Sequence, residues 1–231
     1  MNEKEVLEQI ESRFKELYYN NKDIKGFEYQ LLQGTISDAD CVEYGRRIGD
    51  TLKQAWAENV YEEMLDNGIL YEEQALALLN PNIQRNYQLC TDFYTKAQKK
   101  QYQKLGLGLN PVVPQYDMSM TQGLATYIAG LPYNEREMMF LDSLVTNAIK
   151  NIDKGIQKNA EFMSRTGMDV KVRRRLSGVG KAKGGGRIPC KLCEQFKGEE
   201  YEVGEEPRYF YSRHQGCRCI IEKVMDGKPL R

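Results

Sequence analysis

A mainly α chain is predicted, with a helical body followed by a small mixed α/β, zinc-knuckle-like C-terminal module. Three observations predict it. Apolar residues recur at three- and four-residue intervals as far as about residue 165. Composition then changes abruptly near residue 168. Finally, five of the seven cysteine and histidine residues fall between positions 190 and 219. These features give a body over 1–167 and a basic linker with a Cys/His module over 168–231.

The first helix follows from Val6, Ile10, Phe14 and Leu17, spaced to share one face. A second helix starts at "SDAD", where Ser37 is a capping residue and the following acids suit a helix N-terminus. Its apolar stripe is Ile48, Leu52, Trp56 and Val60, and "DNG" at 66–68 closes it. "YEEQALALLNPN" is expected to be a short helix stopped at Asn80-Pro81, because proline disfavours helical geometry in the residue before it. A further helix runs to Gly106. "LGLGLNPVVPQYD" then reads as a Gly/Pro-punctuated connector packed on the body. The clearest amphipathic helix carries Val145, Ile149, Ile152, Ile156, Ala160 and Met163 and closes at Gly167. Cys41 and Cys90 lie in helical segments as core residues.

Beyond 168 the charge is segregated. Lys171, Arg173, Arg174, Arg175, Lys181, Lys183, Arg187 and Lys191 occur with no acid among them, and six glutamates follow between 194 and 206. Two readings of the basic run stand: a patch that touches nucleic-acid phosphates, or a linker whose charges pair with those glutamates. "EEYEV" and "CRCIIEKV" have strand character.

Globally, Lys+Arg and Asp+Glu are equal at 33 each, so net charge points neither to nucleic acid nor to an acidic substrate. The charged N-terminus "MNEKEVLEQIESRFKELYYN" is not expected to be a secretory leader, and no apolar run is long enough for a membrane span. In a reducing compartment, clustered cysteines are metal ligands or redox groups more often than disulfides.

The cluster reads C-x2-C-x20-H-x2-C-x-C: Cys190, Cys193, His214, Cys217 and Cys219. A C-x2-C turn aims two thiolates at one point, as tetrahedral Zn2+ requires. In an extended "CRC" the side chains at i and i+2 point the same way, so Cys217 and Cys219 can both face the upstream pair. Five candidate ligands thus compete for four positions. Disulfide pairing of the two cysteine pairs is the alternative in an oxidising setting, and a redox C-x2-C would need a βαβ surround that this glycine-rich stretch lacks. A nuclease of the HNH kind would need histidines beyond any structural ligand, and His214 is the only one. No catalytic constellation emerges, so no enzyme is expected.

The tail "CKLCEQFKGEEYEV…RYFYSRHQGCRCIIE" resembles the C-terminal motif of tailed-phage minor capsid, or head-morphogenesis, proteins related to the Mu F protein. The matching elements are Cys190, Cys193, Gly198 with Tyr201, then His214, Cys217, Arg218 and Cys219. "GVGKAKGGG" departs from the pattern as an insertion before the first cysteine. The resemblance implies a structural, non-enzymatic role in head assembly. Its implied partners are the phage portal and the major capsid or scaffold proteins; the charge of the basic segment adds non-specific double-stranded DNA, and no membrane partner is expected. The implied location is the capsid interior of the virion, with the bacterial host cytoplasm during assembly. A cytoplasmic zinc-ribbon-like nucleic-acid-binding protein is the alternative.

Overall fold

The computed structural model describes residues 2–176, 191–196, 198–214 and 216–231. Three helices open the chain: α1 (Glu3–Asn20), α2 (Lys22–Gln33) and α3 (Asp38–Ala57). Each starts on a side-chain cap. Asn2 accepts from Glu5 N, Asn21 accepts from Asp23 N and Ile24 N, and Ser37 forms a reciprocal capping box with Asp40. Gly34 ends α2 in the left-handed region, at φ 69°, where a side chain would be strained. Val6, Ile10 and Phe14 of α1 are buried, as is the whole Ile48–Leu52–Trp56–Val60 stripe.

The next segment corrects the sequence expectation. Pro81 does not stop a helix; α4 runs unbroken from Glu72 to Lys104. A proline inside a helix costs about 3 kcal/mol locally. Here Ala75, Leu78 and Leu79 before it and Ile83 after it are all buried against the same core, so breaking the helix would expose one half of that face. Likewise "DNG" does not close α3, which ends at Ala57; residues 66–68 form a separate 3-10 turn.

Residues 107–116 form the connector, and it is tied to the body by specific polar contacts. Asn159, fully buried, donates to Val112 O and accepts from Val112 N, both at 2.9 Å. Tyr87 Oη donates to Pro114 O at 2.6 Å. One asparagine side chain thus does for this irregular segment what a neighbouring backbone would do in a sheet. A helix not foreseen from sequence, α5 (Met118–Ile128), follows and packs on α4 and α6.

The long helix α6 (Tyr133–Arg165) is the axis of the body. It is antiparallel to α3, with Gly45 against Ala148 and Ile152 and Gly49 against Val145. It is parallel to α4, with Tyr94 against Gly155 and Tyr102 Oη hydrogen-bonded to Asn159. The crossing with α3 is close because of the glycines: a Cβ on Gly49 would lie 2.6 Å from Val145 Cα. That neighbour is backbone and cannot rotate away. Gly49→Ala is therefore expected to lower stability by about 1–3 kcal/mol or more, read as a lower denaturation midpoint in urea.

At the composition change near 168, α6 gives way to a four-stranded antiparallel sheet. Its strands are β1 (Lys171–Leu176), β2 (Glu200–Glu202), β3 (Cys219–Met225) and β4 (Lys228–Pro229), in the order β2-β1-β3-β4. A single helical turn, α7 (Lys191–Glu194), precedes β2. The predicted class, mainly α with a small mixed module, is what the chain adopts. The apolar core is continuous across the junction: Val172, Phe196, Phe210, Ile220 and Ile221 pack in one cluster with residues of α1, α3, α4 and α6. Among the described residues no helix is long and apolar enough to cross a membrane.

Candidate metal centre

The period-two alternation of β1 decides the fate of the basic run. Lys171, Arg173 and Arg175 fall on one face of the sheet, Val172 and Arg174 on the other. On the first face, Arg173 donates to Glu222 at 2.9 Å and to Glu200 at 3.1 Å. Arg175 donates to the same Glu222 oxygen at 3.0 Å, and Lys171 pairs with Glu202 at 2.8 Å. Register places Arg173 directly opposite both Glu200 and Glu222, the cross-strand arrangement that favours opposite charges.

Arg174 is fully buried, which removes it from the phosphate-facing set expected from sequence. It points inward because its neighbours on the strand point out. Lys181, Lys183 and Arg187 lie outside the described residues. With the charges at 171–175 already partnered, Lys171→Gln combined with Arg175→Gln is expected to leave the salt dependence of any DNA binding unchanged. A log K against log salt slope shallower by about 0.9 for each replaced residue would show phosphate contacts instead.

Arg174 and a second buried arginine frame a cysteine cluster. The Sγ atoms of Cys193, Cys217 and Cys219 lie within 4.8 Å of one another, and all three residues are buried. Cys193 sits on the α7 turn, while Cys217 and Cys219 sit at the entrance to β3, two residues apart and directed to the same point. His214 approaches from the loop before them, with Nε2 at 3.3 Å from Cys193 Sγ and the residue itself exposed. The backbone of His214 is tied to the strand entrance: Cys217 N donates to His214 O, and Gly216 beside it takes φ 67°. Three of the five sequence-predicted ligands, Cys193, Cys217 and Cys219, thus meet, with His214 beside Cys193. Cys190 lies outside the described residues.

The electrostatics favour thiolate at Cys217. Arg174 Nη2 donates to Cys217 Sγ at 3.4 Å and to Cys193 Sγ at 3.6 Å, and Arg213 Nη1 reaches Cys217 Sγ at 3.7 Å. The hydrogen bond from Cys219, then the guanidiniums of Arg213 and Arg174, pull the Cys217 thiol well below its ordinary range. Its partner Cys219 is raised, first by that shared bond and then by burial. The two core thiols contrast with this. Burial pushes Cys41 and Cys90 upward, so they stay protonated and inert. A buried set of three sulfurs beside an imidazole, with N–H donors aimed at the sulfurs, can hold a metal ion.

Sequence reasoning did not find Arg174 and Arg213 as parts of this centre. Nothing local in the sequence separates Arg174 from its basic neighbours. Arg213 stands beside His214, but its partner Asp153 is 60 residues away on α6. No family model, curated protein or solved structure matches this chain.

Proposed function

We propose that this chain is a structural, non-enzymatic minor head protein of a tailed phage, whose C-terminal module is held by a structural Zn2+ on Cys193, Cys217, Cys219 and His214. The observation that carries the metal part is the convergence of three buried sulfurs from two separate segments, with the His214 imidazole beside one of them. Soft thiolates with an imidazole suit zinc better than a hard, oxygen-seeking cation. The head assignment is supported by the order of these residues in the tail, which resembles the minor capsid family. The lone histidine lies against a sulfur, which leaves no second imidazole to serve as a base. The helical body is the surface offered to the portal or inner shell.

Zinc would supply folding free energy when bound; the residues of this chain position the donors and keep water from the three sulfurs. Metal analysis of the reduced, purified protein is expected to give one zinc per chain, lost on Cys193→Ser. A metal-free wild-type chain would overturn the zinc assignment. Separately, particles assembled with portal and scaffold are expected to incorporate the chain. Its exclusion from such heads, together with sequence-selective nucleic-acid binding, would favour a zinc-ribbon-like regulator.

A further inference from the structure

We infer that Arg213, anchored by Asp153 of α6, is a positioning residue that couples metal occupancy of the cysteine cluster to docking of the sheet on the helical body. The inference rests on the metal reading of that cluster. The Arg213 guanidinium touches both sides of this junction. Its Nη2 donates to Asp153 Oδ1 at 2.8 Å and its Nε donates to Asp153 Oδ2, so the carboxylate is held in a two-pronged grip. Its Nη1 turns the other way, to Cys219 O at 2.6 Å and to Cys217 Sγ at 3.7 Å. Neither side chain of the pair has meaningful solvent access, with side-chain exposures of 0% for Arg213 and 4% for Asp153.

Charge makes the coupling directional. A divalent ion on three thiolates leaves one negative charge in a buried space. Arg174 and Arg213, less the carboxylate of Asp153, supply one positive charge at hydrogen-bonding distance from the sulfurs. The loaded centre is thereby neutral within its own shell, and the cost of burying thiolate charge is offset locally. Remove Asp153 and Arg213 loses the group that fixes its plane. The guanidinium can then rotate away from Cys217, although Asp153 itself makes no contact with any sulfur among the described contacts. Linkage requires the reverse effect too: metal that tightens the Arg213–Cys217 contact must tighten the hold on α6 by the same free energy. Residues contacting ligands from outside typically change metal affinity by about 10–100-fold when replaced.

The test uses the full chain, with Zn2+ competed against Co2+ so that the thiolate-to-cobalt absorption reports the sulfurs directly. Asp153→Asn is expected to weaken metal binding by about 10–100-fold. In the wild type, metal is expected to slow amide exchange in α6 around residue 153 as well as in β3, and this long-range protection is expected to vanish in the variant. Should Asp153→Asn fail to fold, as judged by its helical circular dichroism, Arg213→Lys serves in its place. Lysine keeps the buried charge facing Asp153 but has a single head that cannot hold the carboxylate and reach Cys217 together. Its expected result is a folded chain with weakened metal binding and no protection transmitted to α6. A folded variant of either kind with wild-type affinity and wild-type protection of α6 would overturn the coupling while leaving the metal centre standing. A wild-type chain that takes up neither ion would overturn both.

Discussion

Lys223→Met is expected to destabilise the fold by about 3–5 kcal/mol, because it leaves the carboxylate of Asp38 buried without its counter-charge. Lys223 lies on β3 and Asp38 in the first turn of α3, and both are essentially inaccessible to solvent. The ammonium donates to both carboxylate oxygens, at 2.8 and 2.9 Å, and to Tyr94 Oη at 2.9 Å. The backbone N of Lys223 donates to the same carboxylate at 2.8 Å. Methionine keeps the length and apolar stem of the lysine, so the loss isolates the charge. Lys223→Met combined with Asp38→Asn is expected to recover most of it, since asparagine can still accept from the backbone N–H without a stranded charge. Denaturant midpoints of the two single variants and the double variant give the coupling directly. A cost below about 1 kcal/mol for Lys223→Met would mean that water reaches Asp38, as at a surface pair.

The second large effect concerns the sulfur cluster. At free zinc about 100 times its dissociation constant, the bound ion is expected to stabilise the native chain by about 2.7 kcal/mol. For a protein of this size that corresponds to a thermal midpoint higher by about 5–11 °C. Cys217→Ser, or a chelator, is expected to abolish the increment. Cys217 is the informative choice because both buried arginines donate to its sulfur, so its loss also leaves two guanidiniums without that acceptor. Cys41→Ser and Cys90→Ser serve as controls. Both cysteines are buried in the helical core, outside the sulfur cluster, and their substitution is expected to leave the zinc-dependent increment intact. An equal zinc-dependent shift in Cys217→Ser would remove that residue from the ligand set.

Much of the body was legible in the sequence because its signals are local. A cap and the N–H groups it satisfies are three residues apart, as at Ser37 and Asp40. An amphipathic stripe repeats within a turn, as from Ile149 to Met163 on α6, all of it buried. The grouping of Cys193, Cys217 and Cys219 was legible for a similar reason, since the i, i+2 spacing of "CRC" fixes where its side chains point. Pro81 misled because its penalty is local while the burial that overrides it is spread over both flanks of α4. The basic run misled at Arg174, where direction depends on the register of β1 against β3 and not on residue type.

The sequence by itself determined the helical body, the strand character of the tail and the cysteine grouping able to hold a metal ion, because each follows from spacing along the chain. Only the tertiary structure decided which charges are buried. Asp38 reads in sequence as an ordinary helix-start acid, yet it is the partner of a lysine 185 positions away. Arg174 reads as one of a basic run and Arg213 carries no signal of its own, yet both end beside the sulfur cluster. Desolvation is set by what packs above a group, and neither pairing could be known before α3, α6 and β3 came together.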